Sequence, residues 1–384
     1  MPSDRLSLRL GQLPHEVLAE LAAQLCSDSL ALQATAEECM AAHNPLPHEM
    51  VERVLLSPDL VPHILGPLEA EDGAAAAVCS QWLAGWKATN EPRRRLKQVP
   101  FDLPEEIGTC SGMTMAGTPD GRLVVSTGSQ VRIFDRSMRF LQTVTGESLT
   151  VTSIAANDDS IYHGGRQALR RISHDGTTAA EYQLEGYDFA YPVLAHGGLI
   201  FCVMFVINED EDDIQNDRDE IIALDAQTLQ PRHRFGLGLL NDANQLAVGG
   251  DELYVCDSGN DRLQVFSLTG EHRRSIMGEW RSPAMLCFAN DRLYLVERDY
   301  TTDDEEDEDT NNSFRGRRIL VLSLQGDILQ VVTHPTQPTA TLNLLCCFEH
   351  KLLASYQYNT EDAEPTLGMI TRTAQCGMLA LQGL

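Results

Sequence analysis

Hydrophobic residues change their spacing along the chain, from helical intervals before about residue 90 to short β-like runs after about residue 110. The stretch LPHEVLAELAAQL places Val17, Leu18, Leu21 and Leu25 at three- and four-residue steps, which is typical of one face of an amphipathic helix. Later stretches are short runs of Val, Ile, Leu, Phe and Tyr bounded by Gly, Asp and Asn, which is typical of β-strands. The chain is therefore predicted to be mixed, with a small all-α N-terminal region before an all-β domain.

The predicted strands recur with a period close to 40 residues. Six successive repeats are separated by steps of 38, 38, 54, 40 and 59 residues. The two long steps contain the acidic stretches NEDEDDIQNDRDE (208–220) and DDEEDED (303–309), which are predicted to be loop insertions because removing them restores the period. This period, with four short strands per repeat, indicates an all-β propeller. The propeller has six blades if each repeat forms one blade, and a seven-bladed propeller is the alternative. The leading apolar residues of the repeats are Leu123, Ile161, Leu199, Leu253, Leu293 and Leu352.

Two further strands are predicted near the ends of this domain. In the last repeat, GMITR (368–372) is expected to follow HKLLASY, as VRIFD, LRRIS and LQVFS follow the first strands of earlier repeats. Before the domain, a linker at 91–107 contains FDLPEE (101–106), a candidate for the strand that closes the ring against the last blade.

The repeat from Asn244 to Trp280 is the most regular of the six. It resembles the NHL repeat, whose form is an apolar strand, a Gly-Asp or Asp-Gly turn, a strand ending in Ala-Asp-x-x-Asn, and then Arg-Ile-Gln-Val-Phe. The resemblance implies an NHL-like propeller over 108–384 and implies no activity, since one fold hosts many functions. The matching residues are Asp257, Asn260, Arg262, Gln264, Val265 and Phe266.

The region 51–90 carries apolar residues at helical spacing and ends in Val-Cys-x-x-Trp (78–82). Ser57 is a predicted helix N-cap, and Pro58 suits the first helical position. This region resembles the F-box, a motif of about 40 residues in three helices that docks onto the Skp adaptor of SCF ubiquitin ligases. The resemblance implies helix-in-groove binding, after a helical extension at 1–50. The residues it assigns to adaptor binding are Pro58, Leu60, Ile64, Leu65, Leu68, Val78, Cys79 and Trp82.

Composition narrows the classes of function. The net charge is −27, which makes nucleic-acid binding unlikely because such binding relies on Lys and Arg. No apolar run approaches the roughly 18 residues of a membrane span, and the N-terminus has no signal-peptide pattern. The ten cysteines include no Cys-x-x-Cys pair and are expected to be reduced, in the cytoplasm and/or the nucleus. No nucleophile elbow, His-Glu-x-x-His motif, P-loop or dinucleotide-binding motif occurs, so no catalytic residue, cofactor or metal ligand is assigned.

These observations predict the substrate receptor of an SCF-type E3 ligase. The F-box-like helices would bind a Skp-type adaptor and, through it, a cullin, while the propeller would bind the protein substrate. The alternatives are a propeller scaffold whose helices form a collar on its rim, a hydrolase or lyase with a metal on the propeller axis, and an RNA-binding propeller. If the substrate is recognised through a phosphate, an arginine cluster is needed, for which the candidates are Arg273, Arg274, Arg317 and Arg318.

Overall fold

A computed structural model describes residues 57–66, 68, 77–89, 94–101, 104–107, 113–127, 130–144, 153–165, 168–184, 189–205, 219–297, 316–337, 340–361 and 372–382. The chain divides between Leu96 and Lys97 into two compact units. The predicted extension at 1–50, the acidic stretch 303–309 and most of the stretch 208–220 lie outside the described residues.

Two helices are described in the N-terminal unit, α1 (Val61–Leu65) and α2 (Ser80–Ala88). They pack at Gly85, where an added Cβ would lie 3.3 Å from Leu65 Cδ1 and closer still to Val61 Cγ1. Helix α1 begins at Val61, three residues after the predicted start at Pro58. Proline is tolerated only in the first turn of a helix, and in a helix that began at Pro58 the residue Pro62 would lie beyond that turn. Neither described helix has the length and hydrophobicity needed to cross a bilayer.

Twenty-four strands are described in the propeller unit, in six four-stranded antiparallel sheets. Blade 1 contains β2 (Thr114–Gly117), β3 (Leu123–Ser126), β4 (Val131–Phe134) and β5 (Phe140–Val144). Blade 2 contains β6 (Ser153–Ala156), β7 (Ser160–Gly164), β8 (Ala168–Ser173) and β9 (Thr178–Gln183). Blade 3 contains β10 (Phe189–His196), β11 (Leu199–Phe205), β12 (Asp219–Asp225) and β13 (Pro231–Leu240).

The remaining blades repeat this order. Blade 4 contains β14 (Ala243–Gly249), β15 (Glu252–Asp257), β16 (Arg262–Ser267) and β17 (His272–Met277). Blade 5 contains β18 (Pro283–Ala289), β19 (Arg292–Glu297), β20 (Arg318–Leu322) and β21 (Ile328–Thr333). Blade 6 contains β22 (Thr341–Phe348), β23 (Lys351–Glu361), β24 (Arg372–Gln382) and the N-terminal strand β1 (Lys97–Val99). The prediction of a six-bladed propeller is confirmed.

The six leading apolar residues of the sequence repeats all lie in the second strand of a blade. Five of them are at most 1% exposed, and Leu199 is partly buried. A second strand has hydrogen-bonded neighbours on both sides and another blade against each face, so it is the most enclosed strand of the four. This enclosure explains why the second strands gave the clearest period in the sequence.

Blade 6 is completed by both ends of the propeller unit, with strand order β1-β24-β23-β22. The strand that closes the ring is Lys97–Val99, which pairs with β24, and not the candidate FDLPEE. Pro100 and Pro104 do not suit strand pairing because proline has no amide hydrogen to donate. The prediction for GMITR was wrong. Leu352 pairs with Leu381, so the third strand is Arg372–Gln382. Only Arg372 of GMITR belongs to it, and the rest lies outside the described residues.

The two ends of the propeller differ. We call the end where first strands turn into second strands the short-turn face, and the end where second strands lead into third strands the loop face. At the short-turn face, two-residue turns such as Gly197–Gly198 and Glu349–His350 have positive φ at both positions, as expected for tight hairpins. At the loop face, the chain leaves β11 at Phe205 and β19 at Glu297, immediately before the segments that carry the acidic stretches.

The last two acidic residues of the stretch 208–220 are not loop residues, contrary to the prediction. Asp219 and Glu220 begin strand β12. The Asp219 carboxylate accepts a hydrogen bond from the Ala243 amide at 2.8 Å. Glu220 is 6% exposed and pairs with Arg234 at 2.7 Å. Asp219 therefore links blade 3 to blade 4, and Glu220 joins two strands of blade 3. The acidic composition alone did not distinguish these two carboxylates from solvated ones.

Candidate functional site

The six inner strands surround an axial channel with a cavity of about 230 Å³. Its lining is mainly aliphatic, from residues such as Ile154, Val193 and Leu286. Three thiols, of Cys287, Cys346 and Cys347, also line it, together with His196 and Gln245. No carboxylate lines this channel, and no group of three metal-ligating side chains occurs within the described ranges.

This lining does not suit an axial Ca²⁺ or Mg²⁺ site, which is one form of the metal site that the hydrolase or lyase alternative requires. Hard divalent cations such as Ca²⁺ and Mg²⁺ bind oxygen ligands, whereas the donors on this axis are mostly sulfur. Burial raises the pKa of the Cys346 thiol to about 12, so this thiol stays protonated at neutral pH. Within the described residues, the channel therefore offers no carboxylate to a hard cation.

At the short-turn face the channel opens into a cavity of about 740 Å³. Turns of blades 1, 2, 3 and 6 line it, with Thr118, Asn157, His196, Glu349 and His350 contributing polar side chains. The Asn157 amide is engaged within its own blade, since its oxygen accepts from the Ser160 amide at 2.8 Å and its nitrogen donates to the Tyr162 hydroxyl at 2.9 Å. The cavity can admit a small polar molecule, and no residue chemistry on its wall selects one.

The predicted adaptor-binding residues differ in exposure. Leu60 is 43% exposed, Pro58 is exposed, and Leu65 is fully buried between α1 and α2. Leu65 therefore stabilises the helix pair and is not available to a partner. Sequence reasoning missed Leu83, which is 41% exposed on α2. The other predicted residues, all partly buried, are Ile64, Leu68, Val78, Cys79 and Trp82.

The four candidate arginines do not form one cluster. Arg273 and Arg274 begin strand β17 at the short-turn side of blade 4, whereas Arg317 and Arg318 lie at the loop-face end of blade 5. Three of them face carboxylates. Arg273 contacts Asp251 at 2.7 Å, Arg274 contacts both oxygens of Glu252, and Arg318 contacts Glu297. A phosphate would have to displace these carboxylates.

The NHL-like residues of blade 4 form a buried ionic network. Asp257, at 0% exposure, accepts a hydrogen bond from the Asn241 amide at 2.8 Å and one from the Asn260 side chain at 3.0 Å. Arg262 donates to the other Asp257 oxygen at 2.7 Å and to the Leu239 carbonyl of blade 3 at 3.0 Å. The residues that match the repeat therefore hold the turn between β15 and β16 and join two blades.

Sequence reasoning also missed two leucines in the segment GLGLL (236–240). Its glycines have φ values of +89° at Gly236 and +75° at Gly238. Leu237 and Leu239 are 61% and 42% exposed. The alternation of glycine with leucine is the sequence feature that could have indicated this exposed apolar bulge.

Acid should weaken this fold in a defined pH window. Hydrogen bonds from Arg274 lower the pKa of Glu252 from its usual 4.5 to about 2. Because the pKa is lower in the folded state, this carboxylate stabilises the fold above pH 4.5 and loses that effect as the pH falls towards 2. The free energy of unfolding, measured by urea titration, should decline between pH 4.5 and 2. The decline should be shallower in Glu252→Gln, and an equal slope in both proteins would contradict the assignment.

No protein-family model matches this chain, and no curated protein sequence matches it. Among solved structures, the chain is similar to a gluconolactonase from Xanthomonas campestris (14% identity, 70% of this chain and 84% of that chain, TM-score 0.47). It is also similar to a streptogramin B lyase (15% identity, 73% of this chain and 86% of that chain, TM-score 0.45). A third similar structure is the computationally designed Ika8 protein (13% identity, 63% of this chain and 66% of that chain, TM-score 0.41). Identity at this level carries no information about activity or substrate.

Proposed function

We propose that this chain is the substrate receptor of an SCF-type E3 ubiquitin ligase, in which the helical region binds a Skp-type adaptor and the propeller binds a protein substrate. The observation that carries the proposal is the helix pair α1–α2. The Val-Cys-x-x-Trp segment leads into α2. Leu60, directly before α1, is 43% exposed, and Leu83 on α2 is 41% exposed. Exposed apolar side chains on short helices are the anchors that a helix-in-groove partner covers.

In this proposal the chain performs no covalent step. The adaptor and cullin would hold the chain near a ubiquitin-charged enzyme, and the propeller would hold the substrate. The gain is a raised effective concentration of substrate lysines near the transferring enzyme. In the part of the chain that the structure describes, no carboxylate lines the channel, which favours a binding role over Ca²⁺-dependent hydrolysis.

The test is capture of the full chain by purified Skp adaptor. The variant combines Leu60→Asp with Trp82→Ala, two predicted contact residues that are not buried in the helix pair. We expect at least about a tenfold loss of affinity, since truncating a buried interface anchor typically costs more than ~1 kcal/mol. Leu65→Asp is unsuitable because it would place a charge inside the helix pair.

The matched control is Leu141→Asp, which introduces the same charge at a 51% exposed leucine of blade 1. It should bind the adaptor as the wild-type chain does. The proposal fails if the wild-type chain does not bind, or if the double variant, shown by circular dichroism to be folded, binds as tightly as the control.

A further inference from the structure

A bulge on the outer strand of blade 3 presents apolar side chains to solvent. In the pairing of β12 with β13, Ile221 faces Phe235 but Asp219 faces Leu240, so residues 236–239 stand opposite Glu220 alone. Gly236 is required there, because its φ is +89° and an added Cβ would lie 2.8 Å from Leu240 Cδ1. The bulge directs Leu237 and Leu239 away from the blade.

The bulge is held in one conformation by its neighbour, blade 4. The Leu239 carbonyl accepts a hydrogen bond from Arg262 at 3.0 Å, and Arg262 is held by the buried Asp257 at 2.7 Å. A surface that is already ordered loses less conformational entropy when a partner binds. The buried network therefore prepares this surface for binding.

A third apolar side chain extends the same surface. Met277 is the last residue of strand β17 and lies directly opposite Arg262 of strand β16. The Arg262 guanidinium donates the hydrogen bond to the Leu239 carbonyl. The exposed fractions are 61% for Leu237, 42% for Leu239 and 63% for Met277. We call these three residues the blade 3–4 patch. Exposed apolar side chains grouped in this way mark interaction sites, whereas scattered ones need no explanation.

Apart from Arg234 and Arg262, which are paired with Glu220 and Asp257, the exposed charged residues near the patch are mainly acidic. Asp242, Asp261 and Glu279 are exposed carboxylates close to it in the chain, and Arg281 is an exposed cation beside them. A further carboxylate, that of Asp219, begins strand β12 in register with Leu240 at the end of the bulge. A partner that covers the patch therefore meets carboxylates at its edge and is favoured if it is basic.

We propose that the blade 3–4 patch is where the propeller binds its substrate, and that it takes a basic amphipathic segment with two or more large apolar anchors flanked by Lys or Arg. This inference rests on the proposed function, because it names the substrate class of the receptor. The charge of the chain opposes two other occupants. A second copy would also carry −27, and RNA would bring phosphates against carboxylates.

The experiment measures binding of a fluorescent 18-residue peptide of leucine and lysine at amphipathic helical spacing to the full chain by anisotropy. Two further peptides separate the contributions, one with serine in place of leucine and one with glutamate in place of lysine. We expect the leucine–lysine peptide to bind most tightly. The serine peptide should bind at least about tenfold more weakly, since apolar anchors dominate such interfaces.

The protein variant is Leu237→Ser with Leu239→Ser, and Met277→Ser is a second, independent variant. Because these side chains are exposed, both proteins should fold, which circular dichroism and urea unfolding check. We expect about a tenfold loss of peptide affinity in the double variant and none in Leu141→Ser, a matched control on blade 1. Equal binding by the double variant and the control overturns the proposal, as does equal binding of the leucine and serine peptides.

Adaptor capture separates this inference from the function on which it rests. The Leu237→Ser, Leu239→Ser chain should still be captured by the Skp adaptor. Capture of the adaptor by a chain that binds no basic peptide would overturn the patch alone. Peptide binding at the patch by a chain that binds no adaptor would overturn the ligase function and leave a peptide-binding propeller.

Discussion

Replacing Asp257 by alanine should lower the free energy of unfolding by about 2–4 kcal/mol. Removing one partner of a buried ion pair typically costs roughly 3–5 kcal/mol because the other charge is left unpaired. Arg262 keeps 28% exposure, so water can solvate part of its guanidinium, and we expect a loss at or just below the lower end of that range. The Asn241 amide and the Asn260 side chain would also lose their acceptor.

Urea unfolding of the full chain, with circular dichroism as the signal, measures this effect. The matched control is Asp251→Ala in the same blade. It removes the ion pair between Asp251 and Arg273, in which the Asp251 side chain is 81% exposed. Such exposed pairs contribute about 0–1 kcal/mol. Equal losses in the two variants would show that burial of Asp257 is not what makes its pairing important.

The Asp257 variant should also weaken peptide binding at the blade 3–4 patch. Arg262 would lose the carboxylate that orients it, and the Leu239 carbonyl would lose a fixed donor. Leu237 and Leu239 themselves would be unchanged. A loss of peptide affinity would therefore come from reduced order in the bulge and not from a missing side-chain contact. Peptide affinity should therefore fall less than in the Leu237→Ser, Leu239→Ser variant.

Substituting proline at both Gln98 and Val99 should release the closing strand and open blade 6. Successive residues of a strand direct their amides to opposite sides, so one of the two must direct its amide to β24, which lies on one side of β1 only. Proline removes that donor and leaves its acceptor in β24 unpaired, which costs up to about 3 kcal/mol. Val99 also packs against the core between blades 6 and 1, and its contact would be lost.

Amide hydrogen exchange measured by mass spectrometry tests this local opening. About 3 kcal/mol corresponds to roughly hundredfold faster exchange, expected in β24, while strands β11 and β12 of blade 3 should be unchanged. The control is Gln98→Ala with Val99→Ala, which keeps both amides and should show much smaller changes in β24. Exchange that rises equally in all blades of the proline variant would indicate global unfolding in place of a local release.

Much of the fold was predictable from local features. The six second strands were found because each is enclosed on both sides and therefore reads as a short apolar run, as in LYVC and LYLV. The closing strand was harder to locate, because Lys97–Val99 has no apolar alternation and is defined only by its pairing with β24. The F-box resemblance remains a prediction about a partner, resting on spacing in one short segment.

The candidate sites depended more on non-local packing. The arginines at 273, 274 and 318 were candidates because their charge is visible in sequence, while the carboxylates that they face come from other strands. Leu65 was predicted to bind the adaptor because it lies in an apolar stripe, but Gly85 of the next helix brings α2 against it. Which member of a stripe is buried depends on what packs there.

The chain itself specified the number of blades and the second strands that form their cores, because hydrophobic period and turn residues act between near neighbours. The tertiary structure alone brought the Leu239 carbonyl of blade 3 to Arg262, placed Met277 beside Arg262 and buried Asp257. Those relations depend on the register between strands and on the contact of two blades. Register is set when separate segments meet in the folded protein, so it leaves no period in the sequence.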